Sequence, residues 1–286
     1  MGNLLKIENI NYSLENLDNS VRKWNTSASG KFLLRYPTVY IINDKKSENN
    51  FEVYVGETAD IRNRTRQHLN ADKKVKSFWE DFSESKKSSM YVIGHELFNK
   101  SLTLDIENRL MQYLLSVENI SRVHNSRTNQ QNEYYTSEML DEIFSEIWQS
   151  LNKKNKSLFP IESIIKDSAI FKASPFHKLT QEQINAKEEI LTKIKESILL
   201  NEDGQLIIVE GEAGSGKTVL MSTLLYELGK YNLDLDENLD IHLLVNHNEH
   251  VSIYSQIASK LGIANKKIKL FKNLLVLLIT THQMKK

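Results

Sequence analysis

The sequence predicts an α/β protein in two parts, and three stretches of it carry that prediction. Pro37 to Ile42 and Phe51 to Val55 are β-branched and aromatic segments joined by the polar run Asn43 to Asn50, which is the pattern of an antiparallel strand pair. Leu102 to Val117 places Ile106, Leu110, Tyr113, Leu114 and Val117 on one stripe, as a half-buried helix does. Further on, Gly211-Glu212-Ala213-Gly214-Ser215-Gly216-Lys217-Thr218 lies between an apolar strand pattern, Gln205 to Val209, and an apolar-periodic helix, Val219 to Leu228. The expected architecture is a small domain with a mainly antiparallel sheet flanked by helices, followed by a partial second α/β domain.

Composition narrows the function classes. At 286 residues the chain is long enough for two domains with their own cores. Lys plus Arg and Asp plus Glu balance at 37 each, so any nucleic-acid binding must come from a local patch. There are no cysteines, which excludes disulfides and thiolate zinc sites. The N-terminus lacks the apolar core of a signal peptide. The longest apolar run, Leu274 to Ile279, falls far short of the roughly 20 residues that cross a bilayer. A cytoplasmic protein without a membrane partner is expected.

Residues 1–30 are polar, with Ile10, Leu14, Leu17 and Val21 at helical spacing, and are expected to form a helical extension. Arg22, Lys23, Lys31 and Arg35 mark either a solvated helix end or a contact to a DNA backbone. The first domain spans 31–151. After its hairpin, Thr58 can cap a helix with Asp60 in the first turn. On that helix Arg64 and His68 are four residues apart and share a face with Ile61. With Tyr40 and Tyr54 on the neighbouring strands, a phenol, a guanidinium and an imidazole would converge, a cluster that fits a phosphate.

From Arg62 to Lys76 there are six Lys or Arg, namely Arg62, Arg64, Arg66, Lys73, Lys74 and Lys76, against one acid, Asp72. Such a run beside the cluster would hold a nucleic-acid backbone in a salt-dependent way. A third strand is expected over Met90 to Gly94. On the following helix Glu107 falls at the margin of the buried stripe, where a carboxylate is partly desolvated; an ordinary pairing with a neighbouring arginine is the alternative. Arg122 to Asn129 reads as a donor-rich polar turn, and Thr136 to Leu151 as a closing amphipathic helix. Residues 152–178 are expected to be a linker with a docked segment, Phe159 to Phe171, and 179–286 the second domain.

The first domain resembles the GIY-YIG nuclease family. Thr38-Val39-Tyr40 and Tyr54-Val55-Gly56 stand for its two tripeptides, with an arginine eight residues after the glycine (Arg64) and a histidine four later (His68). Thr38 and Val39 depart from the first tripeptide, whose tyrosine carries the chemistry. The resemblance implies a DNA phosphodiester hydrolase with Glu107 binding one Mg²⁺ or Mn²⁺. Tyr40, made more acidic by nearby positive charge, would deprotonate or position the attacking water with Tyr54 beside it. Arg64 would stabilise the transition-state charge, and His68 would orient Tyr40 or relay a proton. Arg62, Arg66, Lys73 and Lys74 would contact DNA. The family often carries an asparagine after the glutamate helix, with Asn125 the candidate and Asn129 and Asn132 close behind.

The second domain fits the eight-residue phosphate loop at every fixed position. Amides around Gly211, Gly214, Ser215 and Gly216 would curl about phosphate oxygens, Lys217 would reach the β- and γ-phosphates, and Thr218 would hold magnesium. Leu179 to Gln183 resembles the adenine-reading glutamine motif of superfamily-one helicases, with Gln183 as reader. From Leu179 to Gly262 the chain is similar to the start of a Schlafen-type helicase ATPase, which implies a partial RecA-like P-loop domain. The last acid is Glu249, so the second acidic motif of a working ATPase has no place in 250–286. The ending around Phe271 to Ile279 does not resemble what that family carries next, and a truncated or frameshifted product is expected. The resulting expectation is a metal-dependent DNA endonuclease with an incomplete module that binds ATP weakly. The alternative is a nucleotide- or DNA-binding module whose nuclease half is inert.

Overall fold

The computed structural model describes residues 5–70, 77–125, 131, 133–200, 202, 204–234, 239–245, 247–264, 268–272 and 276–281. They fall into two units, Met1–Asp167 and Ser168–Lys286.

Five strands make the sheet of the first unit: β1 (Leu5–Asn11), β2 (Thr38–Ser47), β3 (Asn50–Thr58), β4 (Ser88–His95) and β5 (Ile120–Val123), in the order β1-β4-β2-β3-β5. All pairs are antiparallel except β3 with β5. The hairpin register Thr38↔Thr58 puts Tyr40 opposite Gly56 and Ile42 opposite Tyr54. Both strands run on through the polar stretch expected to be a loop, leaving only Glu48 and Asn49 as the turn. Main-chain pairing along an existing ladder outweighs the weak strand propensity of Asn, Asp and Lys.

One sheet face packs against α1 (Leu14–Thr26), α2 (Lys31–Leu34), α3 (Ile61–Asn70) and α4 (Ser77–Glu84). Leu17, Val21, Trp24, Leu33, Ile61, Leu69, Trp79 and Phe82 meet Tyr40, Ile42, Tyr54, Met90 and Val92 there. The opposite face lies against α5 (Lys100–Leu115) and α6 (Leu140–Lys154), both rich in buried Leu, Ile and aromatic residues. Residues 5–11, expected to be helical, instead form an edge strand, because Leu5 and Ile7 alternate with partly exposed residues and pair with β4. Ile10 belongs to that strand, while Leu17, Val21 and Trp24 keep the helical stripe of α1.

The segment after α6 packs on the first unit. Leu158 and Phe159 are fully buried, Trp148 Nε1 donates to the Pro160 carbonyl over 2.8 Å, and Asn152 Nδ2 donates to that of Phe159 over 2.7 Å. Glu162, at the start of α7 (Glu162–Asp167), accepts from Tyr113 and Ser145.

The second unit holds α8 (Ala169–Lys172), α9 (Gln181–Leu200), α10 (Lys217–Asp234) and α11 (Asn248–Leu261), with a sheet of β6 (Leu239–Val245), β7 (Ile268–Lys272) and β8 (Val276–Thr281). α11 links β6 to the parallel β7, and Gly262 ends the helix at a positive φ of 70°. The expected strand Gln205 to Val209 does not form. The sheet described there is β7-β6-β8, and residues 205–209 pair with none of its strands. Leu206 and Ile208 are accordingly 80% and 72% exposed.

Candidate active site

β2 and β3 deliver the two tyrosines. Tyr40 and Tyr54 stack with ring centroids 6.0 Å apart, and Gly56 makes their approach feasible: a Cβ there would lie 2.4 Å from the Tyr40 hydroxyl and 2.9 Å from the Tyr54 ring. The helix that follows is capped by Asp60, whose Oδ1 accepts from the Asn63 amide over 3.0 Å; Thr58 Oγ1 instead accepts from the Asp60 amide. Capping fixes the phase of α3, which turns His68 inward. Tyr40 and His68 are joined by a 2.8 Å hydrogen bond between the phenol and Nε2, and the His68 ring stacks on Trp79 at 3.7 Å.

Arg64, on the same helix face, sits against both phenols, and Tyr40 and Tyr54 each favour its charged form by charge and hydrogen bonding. Its Nη1 also donates to Gln67 Oε1 over 2.8 Å. The expectation that positive charge makes Tyr40 more acidic is overturned. Tyr40 is fully buried, and desolvation together with Tyr54 raises its pKa well above 10.0 despite Arg64. Desolvation raises Tyr54 likewise. Both are neutral phenols across the physiological range.

Glu107 is reached from the open edge of β3. β5 stops at Val123, and its pairing is continued by the His124 main-chain amide, which donates to the Val53 carbonyl over 2.8 Å, and by the Asn125 side chain, whose Nδ2 donates to that of Val55 over 2.7 Å. One step on, the Glu57 amide donates to the Glu107 carboxylate. Asn125 Nδ2 also donates to Glu107 Oε1 over 2.8 Å. Burial first, then the nearby Glu57 carboxylate, push Glu107 up to about 8. The neighbouring Arg109 pairs with Asp141. Glu107 raises the pKa of both tyrosines through its charge, which places it within electrostatic reach of the phenols.

Of the other predicted site residues, Asn125 is buried and holds Glu107 in place. Arg62 and Arg66 are on α3 but face Asp18 of α1, at 3.6 Å and 2.9 Å, so part of their charge is compensated. Lys73, Lys74, Asn129 and Asn132 lie outside the described residues. The structure adds Trp79, against His68, and Glu57, beside Glu107. Glu57 directly follows the second tripeptide, and strand alternation from Val55 was the signal that could have placed it on the glutamate side.

A divalent cation calls for hard oxygen donors. Glu107 and Glu57 supply them, and Glu57 Oε2 is buried with no hydrogen-bond partner among the described residues. No group of three or more His, Cys, Asp or Glu able to hold a metal occurs among those residues. The donor set therefore fits a cation with two carboxylates and leaves its remaining positions to water or phosphate oxygens.

Residues 36–120 match the GIY-YIG catalytic domain, and 204–285 match the Schlafen group 3 DNA/RNA helicase domain. The chain carries a GIY-YIG domain followed by a Schlafen helicase-type domain. No curated protein and no solved structure matches it. The GIY-YIG domain supports a nuclease, and the two domains together point to nucleic acid as the partner. The Schlafen match runs through Phe271 to Ile279, which corrects the expectation that this stretch is foreign to the family. No helix among the described residues is long and apolar enough to cross a membrane.

In the second unit, the loop before α10 has Gly214 and Gly216 at φ 83°. Lys217 Nζ donates to the carbonyls of Gly211 and Glu212 at 2.7 Å each. Gln183 Nε2 donates to the Ser215 carbonyl over 2.9 Å, and its Oε1 accepts from the Thr180 amide. Gln183 thus reaches the loop itself, and Thr218, the second residue of α10, accepts from the Tyr254 hydroxyl at its carbonyl.

Proposed function

We propose that the GIY-YIG domain is a metal-dependent DNA endonuclease. The observation that carries this reading is the meeting of Tyr40, Tyr54, Arg64 and His68 on one sheet face, with Glu107 electrostatically coupled to both phenols. A bound Mg²⁺ or Mn²⁺ would polarise the scissile phosphate and stabilise the leaving oxygen. Glu107, kept in position by Asn125 and the Glu57 amide, would hold the cation as a carboxylate. Arg64, half-buried between phenols and solvent, takes the charge that builds on the non-bridging oxygens.

A raised phenol pKa rules against a standing phenolate, so we read Tyr40 as a relay. Its oxygen accepts a proton from the attacking water while its own proton passes to His68 Nε2 over the 2.8 Å bond. No phenolate needs to persist. Trp79 stacking fixes the imidazole plane for that transfer. Plasmid nicking tests the reading: cleavage should need Mg²⁺ or Mn²⁺, stop with chelator, and disappear in Glu107→Ala. Equal nicking by Glu107→Ala and the parent protein would refute it.

For the second unit we propose nucleotide binding at residues 211–218, with ATP the expected ligand. Lys217 would exchange the Gly211 and Glu212 carbonyls for β- and γ-phosphate oxygens, and Thr218 would hold magnesium. Gln183 would brace the loop through Ser215, beside Gly216.

A further inference from the structure

Beyond the end of β5, the β3 edge carries two acids side by side. Glu107 comes from α5 and accepts from the Glu57 amide, which brings the Glu57 carboxylate within electrostatic reach of it. The two Glu57 oxygens are treated differently. Oε1 pairs with Lys100 Nζ, whereas Oε2 is buried with no hydrogen-bond partner among the described residues. A carboxylate oxygen withdrawn from water without a donor is costly, and a second carboxylate beside it adds repulsion.

Lys100 relieves only part of this. Its side chain is 61% exposed against 13% for Glu57, so the ammonium approaches from solvent on a flexible stem and touches one oxygen. It is also the cation that favours the charged form of Glu107. A doubly charged ion with oxygen preference would satisfy the orphaned oxygen and both charges together, which a single ammonium does not.

We propose that Glu57 is a second protein ligand of the divalent cation, and that Lys100 is the counter-ion standing by the two carboxylates until the cation arrives. This rests on the endonuclease reading, in which Glu107 is the first ligand. Metal binding becomes an exchange: the Lys100 ammonium leaves Glu57 Oε1 as the cation takes Oε2 and Glu107.

The test is Mn²⁺ binding to the full chain, read as the loss of the free-ion electron paramagnetic resonance signal, with folding checked by circular dichroism melts. Glu57→Gln keeps the shape and should weaken Mn²⁺ binding roughly 10- to 100-fold. Lys100→Met removes the competitor and should tighten it severalfold. Glu107→Gln should abolish it. Binding by Glu57→Gln within twofold of the parent, with Glu107→Gln inactive in binding, would overturn the second-ligand role and leave the single-carboxylate reading standing. Unchanged binding in both Gln variants would overturn the metal site as a whole. Unaltered affinity in Lys100→Met would remove the counter-ion role.

Discussion

Asn125 donates one amide nitrogen to two acceptors, Glu107 Oε1 at 2.8 Å and the Val55 carbonyl at 2.7 Å, and so ties the buried carboxylate to the edge of β3. Asn125→Ala leaves a buried carboxylate and a carbonyl without their donor. We expect a stability loss of about 1–3 kcal/mol in chemical denaturation, together with loss of metal-dependent nicking. A variant as stable and as active as the parent would show that the tie is incidental.

Gly56 faces the tyrosine pair with no room for a side chain, since an added Cβ would fall 2.4 Å from the Tyr40 hydroxyl. Gly56→Ala should push the phenols apart at a cost of about 1–3 kcal/mol and reduce nicking far more than that loss explains. Tyrosine fluorescence and nicking on the same folded sample check this. Retained nicking would mean the stacking distance is not critical.

Arg64 is half-buried and lies against the phenols and Gln67. Arg64→Lys keeps the charge but loses the planar fork. Single-turnover cleavage should fall about 100- to 1,000-fold, with an unchanged melting temperature. A fall of less than about threefold would be incompatible with a transition-state role.

His124 sits stacked on Phe78 at 4.3 Å, with Nε2 to Glu52 Oε2 at 2.9 Å. Burial lowers the His124 pKa from 6.5, so the folded imidazole stays neutral and donates to Glu52, which lowers the Glu52 pKa from 4.5. Both folded values are depressed. As pH falls below 6.5 the unfolded histidine takes up a proton that the folded one refuses, and near 4.5 and below Glu52 adds the same sign. The contribution of this pair should therefore hold above pH 7 and decline on acidification, opposite in sign to that of Glu107, whose raised pKa gives stability that is lost as pH rises towards 8. His95 and His177, also depressed by burial, act in the same direction as the pair. His124→Phe should flatten the melting-temperature decline between about pH 7 and 5; an unaltered slope would assign the decline to other groups.

Lys217 is held by its own loop through the carbonyls of Gly211 and Glu212. ATP with Mg²⁺ at 100 times its dissociation constant should stabilise the folded protein by about 2.7 kcal/mol, and Lys217→Ala should abolish that shift. An equal shift in Lys217→Ala would place the nucleotide elsewhere.

Local pattern was enough for much of the nuclease half. Strand propensity and helical spacing marked Tyr40, Tyr54, Arg64 and His68, because each of these positions is set within one element and its turn. Tertiary structure decided the rest. Asn125 reads in sequence as part of a polar turn, yet it becomes a buried brace because β5 ends one ladder step before the site. Residues 5–11 look helical by spacing, but β4 offers an unpaired edge, and main-chain pairing outweighs periodicity. Gln205 to Val209 has every local mark of a strand, yet it pairs with no strand among the described residues. The raised pKa of Tyr40 depends on how deeply its neighbours bury it. Propensity and spacing are properties of neighbours along the chain, and the sequence by itself determined those; pairing partners and desolvation depend on residues far apart in it, which only the folded protein brings together.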